Sequence, residues 1–285
     1  MLDLMTKAKN AIEAYNSQLR INSSNIANMS VPGYKAMKIS FQSIYENLIN
    51  QGTAATGDTG GTNPTQLGSS VAIGNTSLDF SQGAITSGGN LDLGINGEGL
   101  FIVSPDGGAT KLYTRAGQFV IDSAGNLTTT TGMQVYGLSG GSLVPITGLN
   151  SFHSDKLSWT NDGQLVEFNY KKNSDGTFDT SAIDPSSVSR NTGYKIALTN
   201  FTNPSGLEQA SGSAFAETPA SGAPLANKAP GDTYGVVSPR EYEQSNVFYT
   251  GEVIDSLEAQ RAMSGNLTIL RMISDEISNF ISRIS

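Results

Sequence analysis

Cysteine is absent from the 285-residue chain, and histidine occurs once, at His153. Disulfides, thiolate nucleophiles and the usual zinc sites are therefore excluded together. A Ser-His-Asp triad could form only through His153, which reads as a turn residue. Charge is also scarce: 15% of residues are charged, against about 25% in an ordinary globular protein. Basic residues number 17 against 25 acidic ones, for a net charge of -8. No Lys/Arg cluster interleaves with aromatics, so a nucleic-acid partner is excluded; phosphate neutralisation needs concentrated positive charge. No apolar run reaches the length of a transmembrane helix. The start, Met1 to Lys7, has no apolar stretch and carries an acid at Asp3, so no cleaved signal peptide is expected. Cytoplasmic residence and export by a signal-less route both fit that start. Nothing in the sequence implies a cofactor or a metal.

What is abundant is glycine, at 32 residues, together with Ser, Thr and Asn. A surface of neutral polar groups suits a subunit packed by copies of itself, because buried charges are costly. It equally suits a β-rich extracellular protein. The two ends read as helices. Met1, Met5, Ala8, Ile12, Tyr15, Leu19, Asn22 and Ile26 recur at steps of four and three, a heptad seam with Asn22 as a polar register residue. Val31-Pro32-Gly33 stops that helix near Asn28. A second amphipathic helical piece is expected around Phe41, Ile44, Tyr45 and Leu48. At the far end Val253, Leu257, Gln260, Met263, Leu267, Leu270, Ile273, Ile277, Phe280 and Ile284 repeat the seam. This helix is expected to start near Ser245 or Thr250, with Glu252 in the electropositive first turn. Gly265 is its weak point.

The middle reads as short strands joined by tight turns. Asp106-Gly107-Gly108, Asp122 to Asn126, Asn161-Asp162-Gly163 and Ser174-Asp175-Gly176 are hairpin signals. They separate β-forming segments at Leu100–Val103, Gln118–Ile121, Gln164–Phe168 and Tyr194–Leu198. The expected fold is α+β: terminal helices pairing as a coiled-coil-like domain around a central all-β body. The expected divisions are an N-terminal helical segment 1–50, a flexible connector 51–75, a β-rich domain 76–240, and a C-terminal helix in 241–285 that pairs antiparallel with the first. Each helix has an apolar face too narrow to be a core alone, so each needs a partner. The expected assembly residues are Met5, Ile12, Tyr15, Leu19, Ile26, Leu257, Met263, Leu267, Leu270, Ile273, Ile277 and Ile284.

Motifs in a fixed order carry a resemblance. Asn25-Ile26-Ala27-Asn28, then Val31-Pro32-Gly33-Tyr34-Lys35-Ala36 and Phe41-Gln42, resembles the N-terminal signature of flagellar rod and hook subunits. Phe80-Ser81-Gln82-Gly83, then Asn90 to Phe101 with Asp92, Gly97 and Gly99, resembles the entry to their β domain. Tyr113-Thr114-Arg115-Ala116-Gly117-Gln118-Phe119 and Asp122 to Leu127 resemble the next block. Asn203 to Leu207 and Ser221 to Pro224 resemble the exit. Ser245-Asn246-Val247, Glu252 and Gln260-Arg261 resemble the C-terminal signature. Residues 138–193 carry no such motif, and Gly94, Leu100, Phe248 and Met263 depart from the pattern.

The resemblance implies a structural polymer subunit of the flagellar basal body, not an enzyme. Its partners would be copies of itself, other rod and hook subunits, the flagellar type III export apparatus and outer bushing rings. The paired helices would line the inner tube and the β body the outer layer, and the subunit would transmit torque. Residues 138–193 are too few for a hook subunit's extra domain, which favours the distal rod type. Pro32 to Lys35 resembles hook sequences more, so a hook subunit is the alternative. An extracellular β-rich adhesin or wall-acting enzyme is the reading from a different class.

Weaker signals fall away on chemistry. Gly94 to Gly99 lacks the spacing and following helix of a dinucleotide loop. Asn173 to Asp179 lacks the distal Glu of a calcium loop. The Asn-x-Ser/Thr triplets at Asn22, Asn126 and Asn266 fall partly on helices. Glu98 with Asp92, or Asp122 with Asp162, has no spacing that fixes a carboxylate separation. Arg115 and Arg261 suit carboxylate partners, and Trp159 suits a hydrophobic anchor.

Overall fold

The computed structural model describes residues 2–50, 60–61, 65–173, 177–231 and 233–284. They form two compact units. The first comprises 1–27, 37–77 and 248–285; the second comprises 28–36 and 78–247.

The first unit holds two long helices, α1 (Leu2–Ala27) and α2 (Tyr249–Ile284), and a two-stranded ribbon of β1 (Met37–Asn50) and β2 (Thr65–Leu78). Both helices lie where the seams predict, and Gly265 does not interrupt α2. Glu252 occupies the first turn of α2, where the positive end of the helix dipole favours a carboxylate.

The second helical piece is not formed. Residues around Phe41 to Leu48 belong to strand β1. The three-and-four spacing of Phe41, Ile44, Tyr45 and Leu48 is overruled by the alternation that precedes it. Met37 and Ile39 are half-buried while Lys38 and Ser40 are exposed, the period of two that a strand requires. The ring of Phe41 packs against Tyr15 of α1, with centroids 5.7 Å apart. The helical segment of 1–50 therefore ends at Ala27. The connector expected over 51–75 is strand β2 from Thr65 onward; of the rest, only Gly60 and Gly61 are among the described residues.

The second unit is a β body. Its strands are β3 (Ile85–Ser87), β4 (Leu93–Asn96), β5 (Leu100–Ser104), β6 (Leu112–Thr114), β7 (Phe119–Ile121), β8 (Leu127–Thr129) and β9 (Gln134–Ser139). They continue with β10 (Ser142–Pro145), β11 (Leu157–Trp159), β12 (Gln164–Lys172), β13 (Phe178–Ile196), β14 (Leu198–Thr199), β15 (Glu208–Gln209), β16 (Ala214–Ala216), β17 (Val236–Pro239) and β18 (Glu241–Glu243). The main sheet runs β11-β12-β13-β9-β5-β6-β16-β15, and two further pairs are β17-β4 and β18-β3.

The Asp-Gly turns do what their chemistry dictates. Asp106 to Gly108 closes β5 onto β6, Asp122 to Asn126 closes β7 onto β8, and Asn161 to Gly163 closes β11 onto β12. The turn at 174–176 lies outside the described residues. Residues 138–193 supply β10 to β13, so the segment without motifs extends the sheet.

The β core gathers Leu93, Ile95, Phe101, Phe119, Leu127 and Trp159. Trp159 is the anchor its singularity suggests. Its indole nitrogen donates to the Leu91 carbonyl at 2.8 Å, so the buried ring leaves no donor unsatisfied. Gly117 is required by crowding: a Cβ there would sit 1.7 Å from the Leu93 carbonyl oxygen. No side chain can replace a hydrogen at that approach.

Candidate assembly interface

The end of α1 meets the start of α2. Asn25 is 1% exposed, and its amide donates to Glu252 Oε1 at 3.0 Å. The same side chain closes both polar groups of Met37, donating to its carbonyl at 2.9 Å and accepting from its N–H at 3.0 Å. One turn earlier, the buried amide group of Asn22 meets Ser256 Oγ at 3.2 Å. These bonds set the helices antiparallel and fix their register, the use of a polar residue that a seam tolerates best. Burial pushes the Glu252 carboxyl above its usual pKa, and the Asn25 hydrogen bond only partly opposes this.

The buried positions of the two helices are mostly small. Ala8, Ala11 and Ala14 of α1 and Ala259 of α2 are buried, with Ile273 as the large exception. The larger side chains are less covered. Met5, Ile12, Tyr15, Leu19 and Ile26 are half-buried, as are Met263, Leu270 and Ile277. Leu257 is 50% exposed and Leu267 40%, joined by Ile254, Ile269 and Met272. The side chain of Ile284 lies outside the described ones. Sequence reasoning missed Ala11, Ala14, Asn25 as a seam residue, and Ala259. The signal was a helical repeat of Ala and Asn, one register step from the large apolar residues.

The β body holds a second cluster, made of charges. Lys35 and Glu243 are fully buried and Arg115 nearly so. Lys35 Nζ donates to Glu243 Oε1 at 2.6 Å and to the Ser81 carbonyl at 2.7 Å. Arg115 Nη1 donates to Glu243 Oε2 at 3.1 Å, and Nη2 to the Gly97 carbonyl at 2.7 Å. The Gly83 N–H adds a third donor to Glu243, at 2.7 Å. Burial pushes the Lys35 ammonium and the Arg115 guanidinium down in pKa, while the Glu243 carboxylate pulls both back up. A buried carboxylate shared this way is a tie, because its ions are desolvated and its oxygens already occupied.

Gly83, Gly97 and Arg115 of the family motifs meet at this tie, and others make separate internal bonds. Gly33 donates its N–H to the Glu243 carbonyl at 2.8 Å, and its φ of 68° is left-handed. Tyr34 is buried beside it. Asn246 Oδ1 accepts from the Ala36 N–H at 2.8 Å, and Nδ2 donates to the Asp79 carbonyl at 2.7 Å. Thr114 Oγ1 donates to the Ser213 carbonyl at 2.9 Å, and Asp92 Oδ2 accepts from the Gly89 N–H at 2.8 Å. Gly97 and Gly99 take positive φ in the β4–β5 turn. Asn28 accepts from the Val31 N–H at 3.1 Å, and Val247 is half-buried. Gln260 and Arg261 stand exposed on α2, away from the tie. From the sequence Lys35 entered only within the Tyr34-Lys35 motif and Glu243 not at all, since their partners lie far along the chain. His153 also has an unforeseen partner: its Nδ1 lies 2.8 Å from Glu167 Oε1, and Arg190 Nε donates to Glu167 Oε2 at 2.8 Å.

A chain with antiparallel terminal helices, apolar groups left outside their seam and motif residues spent on internal ties is a structural subunit. Residues 7–35 match the family model described as flagella basal body rod protein. Residues 94–197 match that described as flagellar hook protein FlgE/F/G D1 domain. The flagellar basal-body rod protein FlgG of Bacillus subtilis is 30% identical over 97% of both chains. That of Buchnera aphidicola subsp. Baizongia pistaciae is 29% identical over 95% of both. The flagellar hook protein FlgE of Helicobacter pylori is 36% identical, over 58% of this chain and 23% of its own. The chain belongs to the flagellar rod and hook protein family, as a structural subunit of the rod type.

Proposed function

We propose that this subunit polymerises with copies of itself through its terminal helices and transmits torque as part of the distal rod. The observation that carries this is the set of large apolar side chains that the helix pair leaves uncovered, among them Met272, Ile254, Leu257 and Leu267. A helix in water gains by covering such groups, and exposed apolar surface of this kind marks a contact. The proposed assembly residues are Met5, Ile12, Tyr15, Leu19, Ile26, Leu257, Met263, Leu267, Leu270, Ile273, Ile277 and Ile284, with Ile273 acting inside the helix pair. Its proposed role is structural rather than catalytic, as its family membership suggests. Its proposed route is the flagellar type III export apparatus, without a cleaved signal peptide, and its proposed place is the basal body. Other rod and hook subunits are its axial neighbours, and the outer bushing rings contact its β body.

The test is Leu267→Asp and Leu270→Asp. A carboxylate carried into an apolar contact is uncompensated, so polymerisation should be lost while the β body stays folded. Rods and motility restored by either variant would remove these residues from the interface.

A further inference from the structure

Among the described residues, every left-handed backbone position but one is glycine; the exception is Arg240, at φ 60°. A side chain is strained there and glycine is not. The position itself is locked, because the Arg240 N–H donates to the Asp92 carbonyl at 2.9 Å and its carbonyl accepts from the Gly88 N–H at 2.7 Å. Backbone geometry alone would therefore be served better by glycine. An arginine held where glycine belongs points to a use for its side chain, the direction in which strain can be read.

That side chain lines an open groove of about 550 Å³ in the β body. Buried Trp159 and Phe168, Pro185 and Pro239, and the polar Thr160, Asn161 and exposed Asp162 line it as well. The Arg240 guanidinium makes no hydrogen bond or ion pair with the described residues. The groove thus offers one uncommitted, half-buried guanidinium among mixed polar and apolar groups, the composition of a contact rim.

We infer that this groove receives a carboxylate-bearing segment of a second copy of the chain, with Arg240 as its specificity-determining contact. Charge favours that occupant. The chain carries 25 acidic against 17 basic residues, so a copy presents mostly carboxylates, and a planar guanidinium pairs with them through two parallel bonds. This inference rests on the proposed self-assembly, and adds to the helix contacts one made by the β body.

The test compares wild type, Arg240→Gly and Arg240→Lys as purified full chains, by light scattering and thermal unfolding. Arg240→Gly should keep or raise Tm, because the strain is relieved, while the critical concentration for polymerisation rises about fivefold, the scale of one ion pair. Arg240→Lys should recover part of that loss, and added salt should weaken wild-type assembly more than that of Arg240→Gly. A lower Tm for Arg240→Gly would make the side chain structural and overturn the inference. So would an unchanged critical concentration, even if only binding to another axial protein were lost; both results leave the helix-driven assembly standing. A wild type that never polymerises would overturn the assembly reading, and the inference with it.

Discussion

Asn25 near the end of α1 and Glu252 in the first turn of α2 share a 3.0 Å hydrogen bond at the mouth of the helix pair. Glu252 holds its proton more tightly when folded, because burial disfavours the charged form. Its native pKa therefore lies above the unfolded value of 4.5. The folded chain binds more protons between those two values, so this group's contribution to stability is largest below the unfolded pKa. It falls as pH rises through the native one. Far-UV circular dichroism of the helical transition between pH 4 and 7 should show that decline, and Glu252→Gln should flatten it. Asn25→Ala should destabilise the helix pair by about 1 to 3 kcal/mol, the cost of leaving buried polar groups unpaired.

The tie in the β body makes a prediction of its own. Glu243→Gln leaves the Lys35 and Arg115 cations buried without a counter-charge, and breaking such a cluster costs about 3 to 5 kcal/mol. Urea unfolding followed by the fluorescence of Trp159, the single tryptophan, reads the loss directly. A change under 1 kcal/mol would contradict a buried, uncompensated charge cluster in the variant.

These features differ in how far the sequence revealed them. The Asp-Gly turns and their flanking strands were legible because turn chemistry is local: Asp106-Gly107-Gly108 needs no distant partner to close β5 onto β6. The helices were legible in extent but displaced in register. A search for large apolar residues finds Leu257 and Leu267, whereas Ala11, Ala14 and Ala259 are buried instead. Phe41 to Leu48 carried a helical spacing, yet pairing with a strand more than twenty residues away decided its conformation. Lys35, Arg115 and Glu243 stand some 80 and 128 residues apart in turn, and no local pattern announces a cluster assembled by the fold.

The segment between β1 and β2 is the place to test mechanical tuning. We predict that removing residues 51–64 leaves assembly intact and yields softened or curved rods, if the segment stiffens the polymer against its neighbours. Electron microscopy of rods from deletion strains is the measurement. Straight rods with normal motility would assign the segment a linking role only.

The central claim is that this chain is a rod subunit acting by self-assembly, and its position in the isolated organelle tests that most directly. An epitope-tagged copy that supports motility should label the rod of purified hook–basal bodies by immunogold microscopy, at many copies per particle. Label confined to the hook beyond the rod, or absent from the particles altogether, would contradict the account.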